Sequence, residues 1–390
     1  MPKLNVAIIV ENFHARGGVE RRTSELVKGL LAAGHEVHVY ANRWDRGAAD
    51  GAIFHRVPVL RLGRSLKPLS FAWFSKMLVN DRRHDLVHTQ ARVFSYDVAT
   101  LGVGCHRAYL RAVGVDPRTA PDRWFHHTVL HIEQSMLRPA RLENGARIIV
   151  NSSRCKDELI DSYDVPEERV SIVRNGVDHL VFSPEARTRL RAESRAELGL
   201  GEDDIAVLFL GSGFRRKGLD TLIEALGVLR RSAPALADRL RLLIVGRGGG
   251  DEYGRMAAGM GIGGRVIWAG QLDADDVVRF YAAADIFALP TRYDPFANSA
   301  MEALACGLPI VTSTSNGVSE ILENDMNALI VEPEDVQALS ERLRRLAEDA
   351  DLRERVGASG RKAVEPFTWQ KTTEKTMEVY EAFVTGRSFR

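Results

Sequence analysis

The sequence predicts an α/β protein built from two doubly wound parallel-sheet domains in tandem. Three observations lead there. Short β-branched apolar runs alternate with helical patterns, the βαβ rhythm of parallel strands joined by crossover helices. The rhythm restarts near residue 205, where a second sheet would begin. And 390 residues exceed what one hydrophobic core ordinarily serves.

In order along the chain, NVAIIV (5–10) leads through a Gly-rich loop into a helix over 19–35. That helix carries Leu26, Leu30 and Ala33 at helical spacing and stops at Gly34. EVHVYA (36–41), LVHTQ (86–90) and RIIVNS (147–152) are further strands. Residues 181–204, with Pro184 and the charged run EARTRLRAESRAELG, carry no strand signal and suit a linker with a short helix. Then come IAVLFLG (205–211), RLLIVG (241–246), RVIWAG (265–270), IFALP (286–290), PIVTS (309–313) and ALIVEP (328–333). A helix over 219–234 places Leu222, Ala225, Leu226 and Leu229 on one face. In such sheets ligands bind at the carboxyl ends of strands, and with two sheets the cleft between them is the expected site.

No apolar run approaches the ~18 residues of a membrane-spanning helix. The start, MPKLNVAIIVENF, does not read as a signal peptide, since Glu11 cuts the apolar run short. Cys105, Cys155 and Cys306 are far apart and read as reduced cytosolic thiols. The net charge of +1 conceals an asymmetry: residues 1–180 hold 26 Lys and Arg against 20 Asp and Glu, the rest 27 against 32. Within 55–141 the ratio is 14 to 6. A basic first half suggests an anionic partner: a membrane surface, a phosphorylated substrate or nucleic acid. A solvated surface would give the same count.

Three segments carry candidate chemistry. HARGGVE (14–20) lies between the first strand and first helix, where Gly17 and Gly18 let backbone approach a ligand. It is not GxGxxG, and a plain βα turn would look alike. GSGFRRKGLD (211–220) brings Arg215, Arg216 and Lys217 to a strand's carboxyl end ahead of a helix. Cations there oppose the helix dipole unless a multiply charged anion occupies the site. TRYDPFANSAMEALACG (291–307) places Asp294 in a loop and Glu302 in a helix whose cap and first turn would be Asn298 and Ser299. Alternatively Glu302 complements the dipole and Asp294 makes an Asx turn before Pro295. There is no DxD pair and no His/Cys set at ligand spacing, so no metal or other cofactor is expected.

With these residues together, the chain resembles the retaining GT-B glycosyltransferases, the large family of sucrose synthase, glycogen synthase and bacterial mannosyl- and glucosyltransferases. The resemblance covers nearly the whole chain. The family's donor signature, an acid, seven residues, Glu, then A-x-x-x-G-x-P-V/I, reads here D-PFANSAM-E-ALACGLPIV, with Asp294 where Glu is usual. Gly17-Gly18 with Glu20, NGVD (175–178), Lys217-Gly218 and FTW (367–369) match further landmarks. Ser212 stands where the family has an upstream arginine, leaving Arg215 and Arg216 to serve. GSGFRRKG, the YDPFANS loop and GVGCHRAYL are most similar to the lipopolysaccharide core glucosyltransferase branch.

The resemblance implies an acceptor-binding domain over 1–180, a nucleotide-sugar domain over 181–365 and a final helix, 366–390, crossing back to the first domain. It implies a metal-independent, retaining hexosyltransferase moving a hexose, glucose from UDP-glucose first, to a lipid-linked or oligosaccharide acceptor in lipopolysaccharide core or other cell-envelope glycan synthesis. Glu302 would hold ribose, Asp294 the hexose, Arg216 and Lys217 the diphosphate, assisted by backbone of Ala297, Asn298 and Ser299. Base recognition would fall around 246–270. The leaving phosphate would deprotonate the acceptor, so no nucleophile is assigned. His106 would orient sugar or acceptor, unless it is merely packed, and Asp97 is an acceptor-side candidate. The acceptor of that branch is a phosphorylated lipid-anchored glycan at the inner leaflet, implying a peripheral protein on the cytoplasmic membrane. HRAYLRAVGV (106–115) and DRWFHHTVLHIEQSMLR (122–138) could lie in the headgroup region or pack inside. The alternatives are a mannosyl-, galactosyl- or GlcNAc-transferase, a sugar-nucleotide epimerase or hydrolase, and a scaffolding or nucleic-acid-binding protein using the basic half. The last has no recognition motif, and none is expected.

Overall fold

The computed structural model describes residues 2–388 except 15, 16, 46, 48, 139–141, 143 and 144. The chain forms two compact units, Met1–Gly176 with Trp369–Arg390, and Val177–Thr368.

The first unit contains β1 (Asn5–Ile9), β2 (Asn12–Phe13), β3 (Glu36–Ala41), β4 (Arg43–Trp44), β5 (Ile53–Arg56), β6 (Leu86–Thr89), β7 (Val98–Thr100), β8 (Arg147–Val150) and β9 (Val170–Ile172). Seven form a parallel sheet in the order β5-β3-β1-β6-β7-β8-β9, with β2 and β4 as a separate pair. The helices are α1 (Gly18–Ala32), α2 (Leu66–Asn80), α3 (His106–Ala112), α4 (Arg123–Met136) and α5 (Ser153–Tyr163). β1 is buried on both faces, which is why its sequence is continuously apolar and does not alternate. The sequence did not reveal β5, β7 or β9. IFHR is a four-residue edge strand with none of its residues buried, and the other two are three residues long. Leu26 and Leu30 of α1 are buried as expected, but Ala33 is exposed because the helix ends at Ala32.

The second unit contains α6 (Pro184–Glu197), β10 (Ile205–Leu210), α7 (Leu219–Ser232), β11 (Leu240–Val245), α8 (Gly250–Gly259), β12 (Val266–Gly270), α9 (Ala274–Ala283), β13 (Ile286–Leu289), α10 (Asn298–Ala305), β14 (Ile310–Ser313), β15 (Leu329–Val331), α11 (Val336–Glu348) and α12 (Ala350–Val364). Its six parallel strands run β12-β11-β10-β13-β14-β15. All four apolar residues expected on the face of α7 are buried. The segment expected as a linker with a short helix holds the fourteen-residue α6. Its Arg187, Arg191 and Arg195, spaced by four, donate to carbonyls of Ala282, Ala283 and Ala284 at the end of α9 and to Asp285. The last helix, α13 (Trp369–Ser388), belongs to the first unit, where Val379, Tyr380 and Phe383 join the core with α1 and β1.

Candidate functional site

In the second unit, β10 ends at Leu210 and the chain enters a single helical turn, Phe214–Lys217. Gly218 follows at φ +76°, where a Cβ would stand 2.0 Å from the Pro290 carbonyl oxygen. Only glycine lets this turn lie against the loop after β13. Thr291 Oγ1 and Arg292 N both donate to the Arg216 carbonyl, at 2.8 and 2.9 Å. The Arg292 guanidinium donates to the Arg215 carbonyl at 2.6 Å and to Asp220 at 2.7 Å. The two loops are thus stitched into one surface at the carboxyl ends of neighbouring strands.

On that surface Asp294 is buried between cations. Its Oδ2 accepts from Arg216 Nη1 at 3.1 Å and from Lys217 Nζ. Its Oδ1 accepts the Phe296 N–H at 3.2 Å, the Asx turn that its place before Pro295 allowed. Burial alone would raise its carboxyl, but Lys217 and Arg216 outweigh that and hold it below the usual carboxylate range. Burial is also the largest influence on Lys217, lowering its ammonium against the pull of Asp294. Glu302 is buried, and its Oε2 accepts the Tyr281 hydroxyl at 2.8 Å.

Arg216, Lys217 and Asp294 therefore come together, while the side chain of Arg215 is exposed. The cap of α10 is Ala297, where Asn298 was expected, and its own side chain makes no capping bond. The Ala297 N–H already donates to Asn316 Oδ1 at 3.3 Å, because a loop after β14 folds over this end. Ser299 is buried with its carbonyl toward the Tyr281 hydroxyl at 3.1 Å, and Asn298 is half-buried. Sequence reasoning missed Tyr281, Arg292 and Asn316. Of these only Asn316, in a polar TSTSNG stretch after a strand, carried a signal. A separate cavity of about 630 Å³ opens within 246–270, lined by Phe214, Gly246, Gly248, Gly254, Trp268 and Gly270.

In the first unit, Gly17 caps α1 at φ +97° and Gly18 begins the helix, both exposed. Ala15 and Arg16 of the same segment lie outside the described residues. A cavity of about 510 Å³ is lined by Gly18, Glu20, Gln90, Arg92, His106 and Phe125, among others. Burial pushes the Glu20 carboxyl up. His106 opens α3, and its backbone N–H donates to both oxygens of Glu133, at 3.0 and 2.9 Å. Glu133 is fully buried and also takes Arg92 Nε at 2.7 Å and the Tyr163 hydroxyl at 2.6 Å. Burial favours its neutral form, yet those partners prevail and keep it below the usual carboxylate range. This network was invisible in sequence, because its members are scattered over 92–163.

Under the cavity, His88 Nε2 lies 2.8 Å from Thr100 Oγ1 and 3.2 Å from Gln90 Nε2, and its Nδ1 2.5 Å from the Tyr380 hydroxyl on α13. Asp97, expected on the acceptor side, is not among the residues that line this cavity. It stands at the amino end of β7, where its carboxylate accepts the Val87 N–H at 2.8 Å, while the cavity lies at the carboxyl ends of the strands. The segments 106–115 and 122–138 turn most apolar side chains inward, Trp124 excepted. The exposed apolar stripe is on α2, which the sequence reading passed over: Leu66, Leu69, Trp73 and Met77.

The fold and these motifs define a class, and the comparisons with known proteins agree. The "Glycosyltransferase Family 4" model matches residues 16–179 and the "Glycosyl transferases group 1" model residues 191–363. A D-inositol 3-phosphate glycosyltransferase of Salinispora arenicola is 33% identical over 242 residues, 60% of this chain and 54% of that protein. The matched region spans about half the length of such curated relatives. WaaG, a glycosyltransferase involved in lipopolysaccharide biosynthesis, superposes with TM-score 0.85 at 21% identity, covering 96% of this chain and 99% of that one. Anabaena HepE in complex with UDP-glucose does so with TM-score 0.71 at 17% identity, covering 97% and 100%. At such identities both show the fold alone. The chain belongs to the glycosyltransferases of the GT-B fold, its first unit of the family 4 type and its second of the group 1 type.

Proposed function

We propose that this protein is a retaining hexosyltransferase that moves glucose from UDP-glucose to an anionic, lipid-linked glycan at the surface of the cytoplasmic membrane. The observation that carries the donor half is the cation pair Arg216 and Lys217, held by Asp294 at the carboxyl end of β10 beside the start of α10. A nucleotide diphosphate would exchange with that carboxylate for the two cations. The charge that grows on the leaving diphosphate is then stabilised where it develops, with no metal required. Asp294, released from them, would turn to the hexose, and Glu302 would hold ribose. The cavity lined by Phe214 and Trp268 would take the base. The complex of HepE with UDP-glucose supports this choice of donor.

For the acceptor half, WaaG's part in lipopolysaccharide biosynthesis supports a lipid-linked glycan. The stripe on α2 supports a membrane surface: Trp73 is 52% and Met77 53% exposed, and Arg61, Arg64, Lys67 and Lys76 flank them with no acid between 57 and 80. Such a helix binds anionic headgroups by charge and by inserted apolar area. A soluble phosphorylated acceptor is the second reading, favoured by the inositol 3-phosphate enzymes. The test is a nucleotide-sugar screen by thermal shift and donor consumption, with Glu302→Ala as control and EDTA expected to have no effect. If no nucleotide sugar shifts the protein, the reading is wrong. If vesicles of anionic lipid retain it no better than neutral ones, the membrane half fails.

A further inference from the structure

A second cavity of the first unit lies beside the one lined by His106. Its volume is about 660 Å³, and Asn12, Asn42, Arg43, Trp44, Asp45 and Arg56 are among its lining residues. Asn12 lines both cavities, so the two adjoin. The strands explain the gathering. β2 and β4 pair in parallel, with Asn12 beside Arg43 and Phe13 beside Trp44. Arg56 closes β5 alongside Ala41, two residues before Arg43. Both arginines are thereby delivered to the carboxyl ends of parallel strands, the edge at which such sheets bind ligands. Trp44 is seated on Phe54, with ring centroids 5.2 Å apart and planes 21° from parallel, and forms an apolar wall.

Two observations point to a ligand. Among the described residues, neither the Arg43 nor the Arg56 guanidinium has a hydrogen bond or an ion pair. Asp45 lines the same cavity yet pairs with neither. Two guanidinium forks on one cavity suit the several oxygens of a phosphate. The other observation is Asn42, only 7% exposed. Its backbone N–H donates to the Glu11 carbonyl at 3.0 Å and its Nδ2 to the Val57 carbonyl at 2.9 Å. A carbonyl only accepts, so this amide cannot be turned round. Oδ1 is left as an acceptor on the cavity side, without a partner among the described residues and not sealed from water. A phosphate dianion has no hydrogen to give it, whereas a hydroxyl has. The Asp45 carboxylate adds acceptors of the same kind. The cavity therefore asks for an anion and hydroxyl groups on one molecule.

We propose that this cavity binds a phosphorylated sugar, with the phosphate on Arg43 and Arg56 and hydroxyls on Asn42 Oδ1 and Asp45. It is a different site from the cations Arg216 and Lys217 beside Asp294, which serve the donor diphosphate. Because it adjoins the cavity lined by His106, its ligand is a phosphorylated sugar unit of the acceptor, next to the unit that receives the hexose. That assignment rests on the glycosyltransferase reading; the binding of a sugar phosphate does not.

The test is calorimetric titration of the full-length protein with UDP in excess, so that the donor cations are occupied. The ligand added is methyl α-glucoside 6-phosphate, a phosphorylated sugar capped as it would be inside a glycan. Glucose 6-phosphate, methyl α-glucoside and inorganic phosphate are titrated beside it. Expected is that the two sugar phosphates bind alike and at least about tenfold more tightly than either half alone. The double variant Arg43→Gln, Arg56→Gln should weaken them by at least about tenfold, because charge-assisted contacts are lost. Both residues are exposed, so that variant should unfold at the same temperature as the unaltered protein. Failure of both sugar phosphates to bind overturns the proposal, as does binding that the double variant leaves unchanged. Inorganic phosphate bound as tightly as the sugar phosphates overturns the part given to Asn42 and Asp45. Glucose 6-phosphate bound while the capped sugar is refused overturns the assignment to the acceptor and makes a free sugar phosphate the ligand. Binding lost in Arg216→Gln but kept in the double variant would put the anion in the donor site and overturn the proposal. Absence of transfer from every donor would remove the proposed function and leave this site to be judged by its own titration.

Discussion

Asp294 is an anion held by two cations where little water reaches, and this decides what its neighbours' substitutions do. Lys217→Met removes one partner of a buried pair and should cost about 3–5 kcal/mol of second-unit stability. It should also weaken UDP binding, read by calorimetry, by at least about tenfold, since a charge-assisted contact to the diphosphate is lost. Asp294→Asn should do something different. It frees both cations, so UDP binding should persist or tighten while hexose transfer falls by roughly 10²–10³, the scale of one lost transition-state contact. A parallel loss of UDP binding and transfer would argue that Asp294 only holds the cations in place. The buried His88 gives a pH prediction. Burial lowers it to about 3 from its usual 6.5, so between these values the unfolded chain binds a proton that the folded chain does not. Stability is therefore highest above pH 6.5 and is lost as pH falls toward 3, at about 1.4 kcal/mol per pH unit for this one group. Urea midpoints measured from pH 7 to 4 should fall, and His88→Gln should flatten the slope.

At the scale of elements, α2 and α6 show what a pattern alone leaves open. The α2 sequence is apolar on nearly every side, with Phe71, Ala72, Ser75 and Val79 buried and Leu66, Leu69, Trp73 and Met77 outside. Nothing in its spacing says which stripe meets the core. Replacing Trp73 and Met77 with Glu should abolish retention on anionic vesicles and leave UDP affinity within about twofold, because exposed substitutions away from a site cost little. Equal retention would sink the role given to this helix. In α6 the reverse holds: the sequence shows a charged run, and the structure shows arginines closing the carbonyl end of α9. Arg191→Ala should destabilise the second unit by about 1–3 kcal/mol, since acceptors are left without their donor. Guanidinium titration followed by Trp268 fluorescence would measure it.

At the scale of the whole molecule, the chain crosses between units twice, so the first unit is built from both ends of the sequence. Ending the chain after Thr368 removes Val379, Tyr380 and Phe383 from the first unit's core. Each such side chain contributes about 1.5–3 kcal/mol by burial, which together matches a typical domain's net stability. The truncated protein should therefore lose protection of β1 and β6 in hydrogen exchange, while UDP still protects 211–218 and 291–302 in the second unit. Loss of UDP protection in the second unit would show that its fold depends on the first.

The sequence by itself determined the class: two doubly wound sheets, where their longer strands lie, and the loops at 211–218 and 291–302. These are local facts, written in apolar runs, glycines and spacings that one stretch of chain carries whole. It also brought forward His106 without its reasons. The tertiary structure alone decided what each charged group faces. Glu133 meets Arg92 and Tyr163, His106 meets His126, and Tyr281 meets Glu302, across separations of 20 to 41 residues. It set Asp97 at the amino end of β7, took the Ala297 N–H for Asn316, and decided which stripe of α2 faces outward. The reason is physical: periodicity records whether a side chain is buried, but the partner of a buried polar group is set by chain crossings that no local pattern encodes.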